Sequence, residues 1–465
     1  MPSKEIPQQS GRKDRAGAAS NGTSAAAESR SNQRVKGARA KAAATAGVSQ
    51  PAAGPGRRGP LAVISRRAAD RLRGGHVWVY RSDVEKVSMV ADSRLMHVVD
   101  QRGASLGTGL YSTSSLIALR MVSREIIDEN AWQELLRARV LAAVQYRRRL
   151  LEGGPAGTDS CRLIFSEADF LPGLVADRYG DLVVLQFLTQ GMATPMVRAT
   201  IVEVLREETD VRAVFERSDP KIVALEQLDA GTADPLFSRS DPPAHFAGAS
   251  TVFRLNGLKF HYDANSGQKT GAFLDQRENY AAAAKHCRGH ALDVCTYQGG
   301  FALHLARSCE TVTGVDSSRS ALEVAEQNLA LNRDSLGKLE VEWFEANAFD
   351  LLREWSDSRV LFDSIVVDPP AFAKSKRAAE GALRGYKELN LRALKMLRPG
   401  GTLVTCSCSH HVGIEEFTAV VAAAAADARR QVRLIERRGA AADHPVLLGV
   451  PETEYLKCLI CIVES

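Results

Sequence analysis

The sequence predicts a mixed α/β protein whose C-terminal part, residues 265–465, is built on a parallel sheet covered by helices. Three observations predict it. After Asn265 buried apolar strands alternate with amphipathic helices, a rhythm that calls for crossover connections and parallel strands. From Leu61 to about Val122 the reading is mostly β, with LAVIS, VWVY, MHVVD and LIALRMV separated by Gly-rich turns, which fits a small β-barrel. Between the two, residues 123–264 mix helix and strand signals in an α+β pattern.

In chain order, residues 1–59 come first. They hold 11 Lys/Arg against 3 Asp/Glu, a net of +8 in a chain of net +5, so the remaining body carries about −3. With almost no large apolar side chains they cannot bury a core, and a disordered basic leader is expected. Residues 60–122 are expected to form the β unit, begun by the LAVIS strand and followed by a short basic helix, RRAADRLRGG. In residues 123–264, AWQELLRARVLAAVQYRRRLL is an amphipathic basic helix. LVADRY and LVVLQFL read as a hairpin turning at Gly180-Asp181, TPMVRATIVEVLREE as a helix, and RAVFERS and VFRLNGLKFHYD as strands completing the layer. Residues 230–249 read as a loop. No stretch approaches the roughly 20 apolar residues of a membrane span. Eight scattered cysteines without a secretory apolar segment point to a reducing, cytoplasmic setting. Cys458 and Cys461 form a CxxC inside an apparent strand, where that spacing puts them on opposite faces. No further Cys or His pair has zinc spacing, so no metal is expected.

The first chemical signal is HALDVCTYQGGFALHLA, a buried strand, a Gly turn and a helix. Gly299 and Gly300 let the backbone approach a ligand without a Cβ in the way. GxGxxG is absent, which disfavours a pyrophosphate cradle. Asp316 ends the next strand, 23 residues after Asp293, where a carboxylate accepts the hydroxyls of a cofactor ribose. Asn347 follows VEWFEA, placed either to read an adenine edge or as a surface turn residue. FDSIVVDPPAF is a buried strand ending in Asp368-Pro369-Pro370; the two prolines end strand pairing and hold Asp368 at the carboxyl end of the sheet.

LDVCTYQGGF, GVD, DPPAF and the upstream SGQKTGAFLDQREN resemble the bacterial PUA-containing large-subunit ribosomal RNA methyltransferases, most nearly the RlmI type that makes 5-methylcytosine. The resemblance runs from about Leu61 to the C-terminus. It implies a PUA-like RNA-binding domain, a connecting domain, and a class I (Rossmann-like) methyltransferase domain using S-adenosylmethionine. It also implies cofactor contacts from Phe273, Gln276 and Arg277, with the last two near the methionine end. Asp293, Tyr297, Gly299, Gly300, Phe301, Asp316, Asn347 and Asp368 complete the expected cofactor set. Asn347 departs from the Asp usual in that family.

Cytosine C5 is a poor nucleophile until a thiolate adds to C6, so this chemistry needs an activated Cys near a carboxylate or another proton acceptor. In GGTLVTCSCSHH, Cys406 and Cys408 are two residues apart on an expected strand and share a face. Cys408 lies nearer the carboxyl end and matches the TCS cysteine of RNA cytosine-C5 methyltransferases. It is the expected nucleophile, with Asp368 as its catalytic companion, and Cys406 reads as a small core residue. The second Cys that many such enzymes carry after the DxP motif is Ala371 here. His410 and His411 are placed to lower the Cys408 pKa, or to pack and lie in a loop; His444 has no assigned role.

The expected function is methylation of a cytosine C5 in large-subunit ribosomal RNA, by a base taken out of its stack. Arg66, Arg67, Arg71 and Arg73, and Arg147, Arg148 and Arg149, are expected either to contact RNA or to be solvated helix faces. No membrane partner is expected; a homodimer is an open assembly state. The alternatives are an exocyclic-nitrogen RNA methyltransferase using the Asp-Pro-Pro loop, which would not need Cys408, and a non-catalytic RNA-binding assembly protein.

Overall fold

A computed structural model of the chain describes residues 59–464 apart from 90–92, 155–156, 230, 232–233, 240–248, 265–270, 338 and 373–375. The expected leader up to residue 58, much of the 230–249 loop, and the SGQKT part of the family signature lie outside the described residues.

The β unit is a six-stranded sheet in the order Trp78–Tyr80, Ile117–Ser123, Ser105–Tyr111, Leu95–Asp100, Leu61–Ile64, Val84–Ser88. Its two end strands are joined in sequence by the turn Arg81–Asp83, so the sheet returns on itself around Ile64, Val79, Met96, Val98 and Leu119. Helix Arg66–Arg73 is capped by Ser65, whose hydroxyl accepts from the Ala68 amide, and it stops at Gly74.

The second unit carries a five-stranded sheet, and Leu174–Tyr179 and Leu182–Phe187 form the expected hairpin. Helix Glu129–Glu152 buries Trp132, Leu136 and Val140 in the same apolar cluster as Leu174, Val183 and Leu185 of this sheet. Leu95, Leu110 and Val122 of the β unit join that cluster, so the two units share a core. One expectation changes: Ser250–Leu255 and Leu258–Asp263 do not complete the five-stranded sheet but pair only with each other. Alternation aims Phe253, Leu255, Phe260 and Tyr262 at a core that also contains Tyr280 and Phe301, so the ribbon packs toward the C-terminal sheet.

That sheet has seven strands, in the order Glu340–Glu345, Thr311–Asp316, His290–Val294, Phe362–Val367, Leu397–Ser407, Lys457–Val463, Val432–Arg438. The first five run parallel, and Lys457–Val463 is antiparallel to both neighbours. One face is covered by helices Arg277–His286, Gly300–Leu305 and Arg319–Leu336, the other by Ala348–Asp357, Ala379–Met396 and Ile414–Asp427. This is the expected Rossmann-like arrangement. Cys458 and Cys461 fall in the clusters on opposite faces, as their spacing requires. The strand order reverses at His290–Val294, which opens a crevice at the carboxyl ends of the central strands. Among the described residues no helix is long and apolar enough to cross a membrane.

Candidate functional site

The crevice holds a cavity of about 410 Å³, a volume ordinary for a small-molecule site. Strand order fixes what faces it. Asn347 follows the first strand, Asp316 ends the second, the Gly turn follows the third, Asp368 follows the fourth and Cys408 the fifth, and all border the cavity. Phe273, Gln276, Tyr297, Gly300 and Phe301 also line it. Arg277, Asp293 and Gly299, expected in the cofactor set, do not line it.

The Gly turn is strained. Cys295 and Tyr297 have φ of 64° and 52° although neither is glycine, and Gly299 follows at 83°. Left-handed backbone at such residues costs of order 1–3 kcal/mol each and persists where its surroundings over-determine it. Here the Thr296 amide donates to the Val315 carbonyl (2.9 Å) and the Tyr297 amide to Asp316 Oδ2 (2.9 Å). Tyr297 Oη donates to the Gly271 carbonyl at 3.0 Å. Asp293 Oδ2 accepts from Thr296 Oγ1 (2.6 Å) and the Ala302 amide (2.9 Å). Burial, opposed by these two bonds, pushes the Asp293 carboxyl up to about 7. Asp293 therefore ties the turn to the helix below it. Gly300 is required by a neighbour: a Cβ there would lie 2.6 Å from the Tyr280 hydroxyl.

Asp316 accepts from two backbone amides, Tyr297 on Oδ2 and Ser318 on Oδ1 (2.9 Å each), which aims its carboxylate along the cavity wall. Asn347 caps helix Ala348–Asp357, its Oδ1 accepting from the Phe349 (2.9 Å) and Asp350 (3.4 Å) amides. Asn347 is therefore a helix-capping turn residue that also lines the cavity. Gln276 Nε2 donates to Asp368 Oδ2 (2.9 Å), and Asn279 Nδ2 fixes the amide by donating to Gln276 Oε1 (2.7 Å). Arg277, expected near the methionine end, is buried and donates instead to the Ser160 carbonyl and Asp443 Oδ1, both at 3.4 Å. Burial would raise Asp443, but His444 and Arg277 beside it hold its carboxyl at about 2. His444 thereby gains a structural partner at 3.2 Å.

The two cysteines part company. The strand ends at Ser407, with Cys406 inside it and wholly buried against Cys458, and burial holds the Cys406 thiol well above its ordinary pKa. Cys408 lies one residue past the strand end, half-buried, and its Sγ faces the Pro369 carbonyl at 3.9 Å. His410 packs against the Tyr455 ring, 5.4 Å between centroids. Sequence reasoning missed Lys457, 49 positions away from Cys408. Only the pairing of Lys457 with Ser407 across the antiparallel strands reveals it.

The arginine runs resolve unequally. Arg67 and Arg71 both bind the buried Asp83 (2.8 and 2.9 Å), and Arg73 binds Asp100 (2.6 Å). Arg147 is neither an RNA contact nor a solvated face. It is fully buried, pairs with Asp169 (2.5 Å) and donates to the Arg162 and Asp443 carbonyls (2.9 and 2.8 Å). A charged triplet read as one helix face hides this, because a helix turns its successive residues to different sides.

Comparison with known proteins agrees with this layout. A PUA-like domain family matches residues 63–124, and an S-adenosylmethionine-dependent methyltransferase family matches residues 250–455. The ribosomal RNA large subunit methyltransferase I of Klebsiella pneumoniae is 36% identical over 410 residues, covering 87% of this chain and 98% of that protein. Its namesake from Pseudoalteromonas translucida is 36% identical over 400 residues, covering 84% and 96%. The chain belongs to the ribosomal RNA large subunit methyltransferase I family. A solved structure from Streptococcus mutans, described as a SAM-dependent methyltransferase, shares this methyltransferase's fold at TM-score 0.70 and 17% identity, over 86% of this chain and 99% of that one. S-adenosylmethionine is the cofactor of the methyltransferase, and the residues present suit it. Asp316 offers a carboxylate held by two amides, the strained turn brings backbone to the cavity wall, and the volume is adequate.

Proposed function

We propose that the chain methylates C5 of a cytosine in large-subunit ribosomal RNA, through a transient bond between Cys408 and cytosine C6. The observation that carries this reading is the position of Cys408 at the cavity wall, facing the Asp368-Pro369-Pro370 loop, while Cys406 is sealed in the core. The relatives named for large-subunit ribosomal RNA supply the substrate class.

S-adenosylmethionine, when bound, supplies an electrophilic methyl group. Asp316 accepts the ribose hydroxyls, and the Asn347 amide nitrogen, left over from helix capping, meets the adenine edge. Phe273, Tyr297, Gly300 and Phe301 shape the wall, and Gln276 orients Asp368. Arg277, Asp293 and Gly299 support that wall from behind. The Cys408 thiolate adds to C6 and makes C5 electron-rich. Asp368 provides the carboxylate this chemistry needs, since Ala371 leaves no second thiol in the loop. The PUA-like unit positions the RNA by phosphate and shape contacts, and the reaction takes place in the cytoplasm.

Methyl transfer and cofactor binding should be measured on Cys408→Ala and Cys406→Ala. Cys408→Ala abolishes transfer with S-adenosylmethionine affinity unchanged; Cys406→Ala keeps substantial activity. Near wild-type transfer by Cys408→Ala would replace this reading with exocyclic-nitrogen methylation at the Asp-Pro-Pro loop. Failure of the wild-type protein to bind the cofactor would favour a non-catalytic RNA-binding role.

A further inference from the structure

We propose that Lys457 is the cation that keeps Cys408 in its thiolate form. The proposal rests on the reading of Cys408 as the nucleophile and gives that thiol its activating partner.

Lys457 opens the last-but-one strand of the sheet, directly opposite Ser407, and only 5% of it is exposed. A buried ammonium is costly unless an opposite charge or full hydrogen bonding offsets it. Among the described residues no carboxylate lies within ion-pair distance of Nζ. Its contacts are two carbonyls, Ser409 at 2.6 Å and Tyr455 at 2.7 Å. An ammonium has three N–H donors, so one remains beyond these two. The Ser409 carbonyl belongs to the residue after Cys408, so the cation is pinned to the turn that presents the thiol. Burial lowers Lys457 to about 8 even though Cys408, and after it Glu454 and Glu416, act in the opposite direction. A thiolate is the neighbouring charge that would compensate the cation.

Other titratable groups also face the pair: Asp368 borders the same cavity as Cys408, and Glu454 and Glu416 act on Lys457. The Tyr386 hydroxyl is hydrogen-bonded to Ser409 Oγ at 2.9 Å, His410 packs on Tyr455, and the Tyr455 hydroxyl donates to Asp275 at 2.5 Å. In the reaction Cys408 first loses its proton to solvent. The sulfur lone pair forms the S–C6 bond, and the C5=C6 electrons form the C5–CH3 bond with the methyl group that S-adenosylmethionine would supply, the donor sulfur keeping the electrons of its broken S–CH3 bond as a thioether. When the C5 proton passes to the Asp368 carboxylate, its C–H electron pair restores C5=C6, the S–C6 bond breaks with its electrons on sulfur, and the thiolate returns beside Lys457. Lys457 keeps its protons throughout, so it is a positioning residue.

The test is the pH dependence of Cys408 alkylation by iodoacetamide on the full-length protein, read by peptide mass from about pH 6 to about pH 10. The wild-type midpoint should lie at least one unit below the ordinary thiol value of about 8.5. Lys457→Gln keeps an N–H donor for the carbonyls but loses the charge. It should raise the midpoint by about one unit and move the acid limb of kcat equally, with cofactor affinity unchanged, and Lys457→Met should do the same. A wild-type midpoint at or above about 8.5 overturns the proposal without any variant, as do equal midpoints in wild type and Lys457→Gln. A low, Lys457-dependent midpoint together with an active Cys408→Ala protein would sustain the pairing and defeat only the nucleophile reading.

Discussion

Asp293 and Asp316 lie near the carboxyl ends of neighbouring strands yet do different work. Asp316 faces the cavity with both oxygens fixed by amides, so its loss would loosen the turn and, on the proposed reading, remove a charge-assisted contact to the cofactor. Asp316→Ala should weaken S-adenosylmethionine binding by about 1.5–3 kcal/mol by calorimetry, and unchanged affinity would refute the ribose contact. Asp293 is fully buried, and its folded-state pKa of about 7 stands above the ordinary carboxylate value. The folded state therefore holds the proton more tightly than the unfolded chain does. Its contribution to stability is complete below about pH 4 and is lost as pH rises through 7, by up to about 1.4 kcal/mol per unit. Asp293→Asn should flatten that fall in urea unfolding between about pH 5 and pH 8, and a slope equal to wild type would contradict this. The sequence placed Asp316 at a strand end, because a buried strand closed by Asp is visible as a pattern, and grouped Asp293 with it in the cofactor set. It did not separate their duties, since burial is set by the helix Gly300–Leu305 that lies over Asp293. Lys457 was invisible for a related reason: strand register, not spacing, sets it opposite Ser407 and against the Ser409 carbonyl.

At the scale of elements, the strand–helix alternation after residue 265 was legible because each buried strand is a continuous apolar run. The ribbon Ser250–Asp263 was misplaced because alternation shows that one face is buried without showing against what. Helix Glu129–Glu152 gives the sharper lesson. Its Arg147-Arg148-Arg149 run reads as one basic face, yet Arg147 joins the helix to strand Cys161–Phe165 and to the 443 loop. Arg147→Met leaves Asp169 with the Phe165 amide but without its cation, and should cost about 3–5 kcal/mol in chemical unfolding. Arg148, which binds Glu208 at the surface, should cost less than about 1 kcal/mol when replaced by Met. Similar losses for the two would mean that Arg147 is not the buried link described here.

In the whole molecule the PUA-like unit is not an appendage. It lends Leu95, Leu110 and Val122 to the neighbouring core, and Trp78 Nε1 donates to Glu167 at 2.9 Å. On the other side a Cβ on Gly449 would lie 2.3 Å from the Gly75 carbonyl, so the C-terminal loop packs tightly on this unit. Every cavity residue lies at or after Phe253. Removing residues 60–122 should therefore leave cofactor affinity measurable, lower the melting temperature and abolish RNA methylation; full activity on the natural RNA would contradict it. The central claim, a cytosine delivered to Cys408, is tested most directly with ribosomal RNA carrying 5-fluorocytosine. Fluorine cannot leave as the C5 proton does, so the adduct is trapped and its peptide identified by mass. The account predicts a covalent protein–RNA species, dependent on S-adenosylmethionine and mapped to Cys408. No adduct from an active enzyme would contradict the cytosine-C5 mechanism, and an adduct at Cys406 would contradict the assignment of its nucleophile.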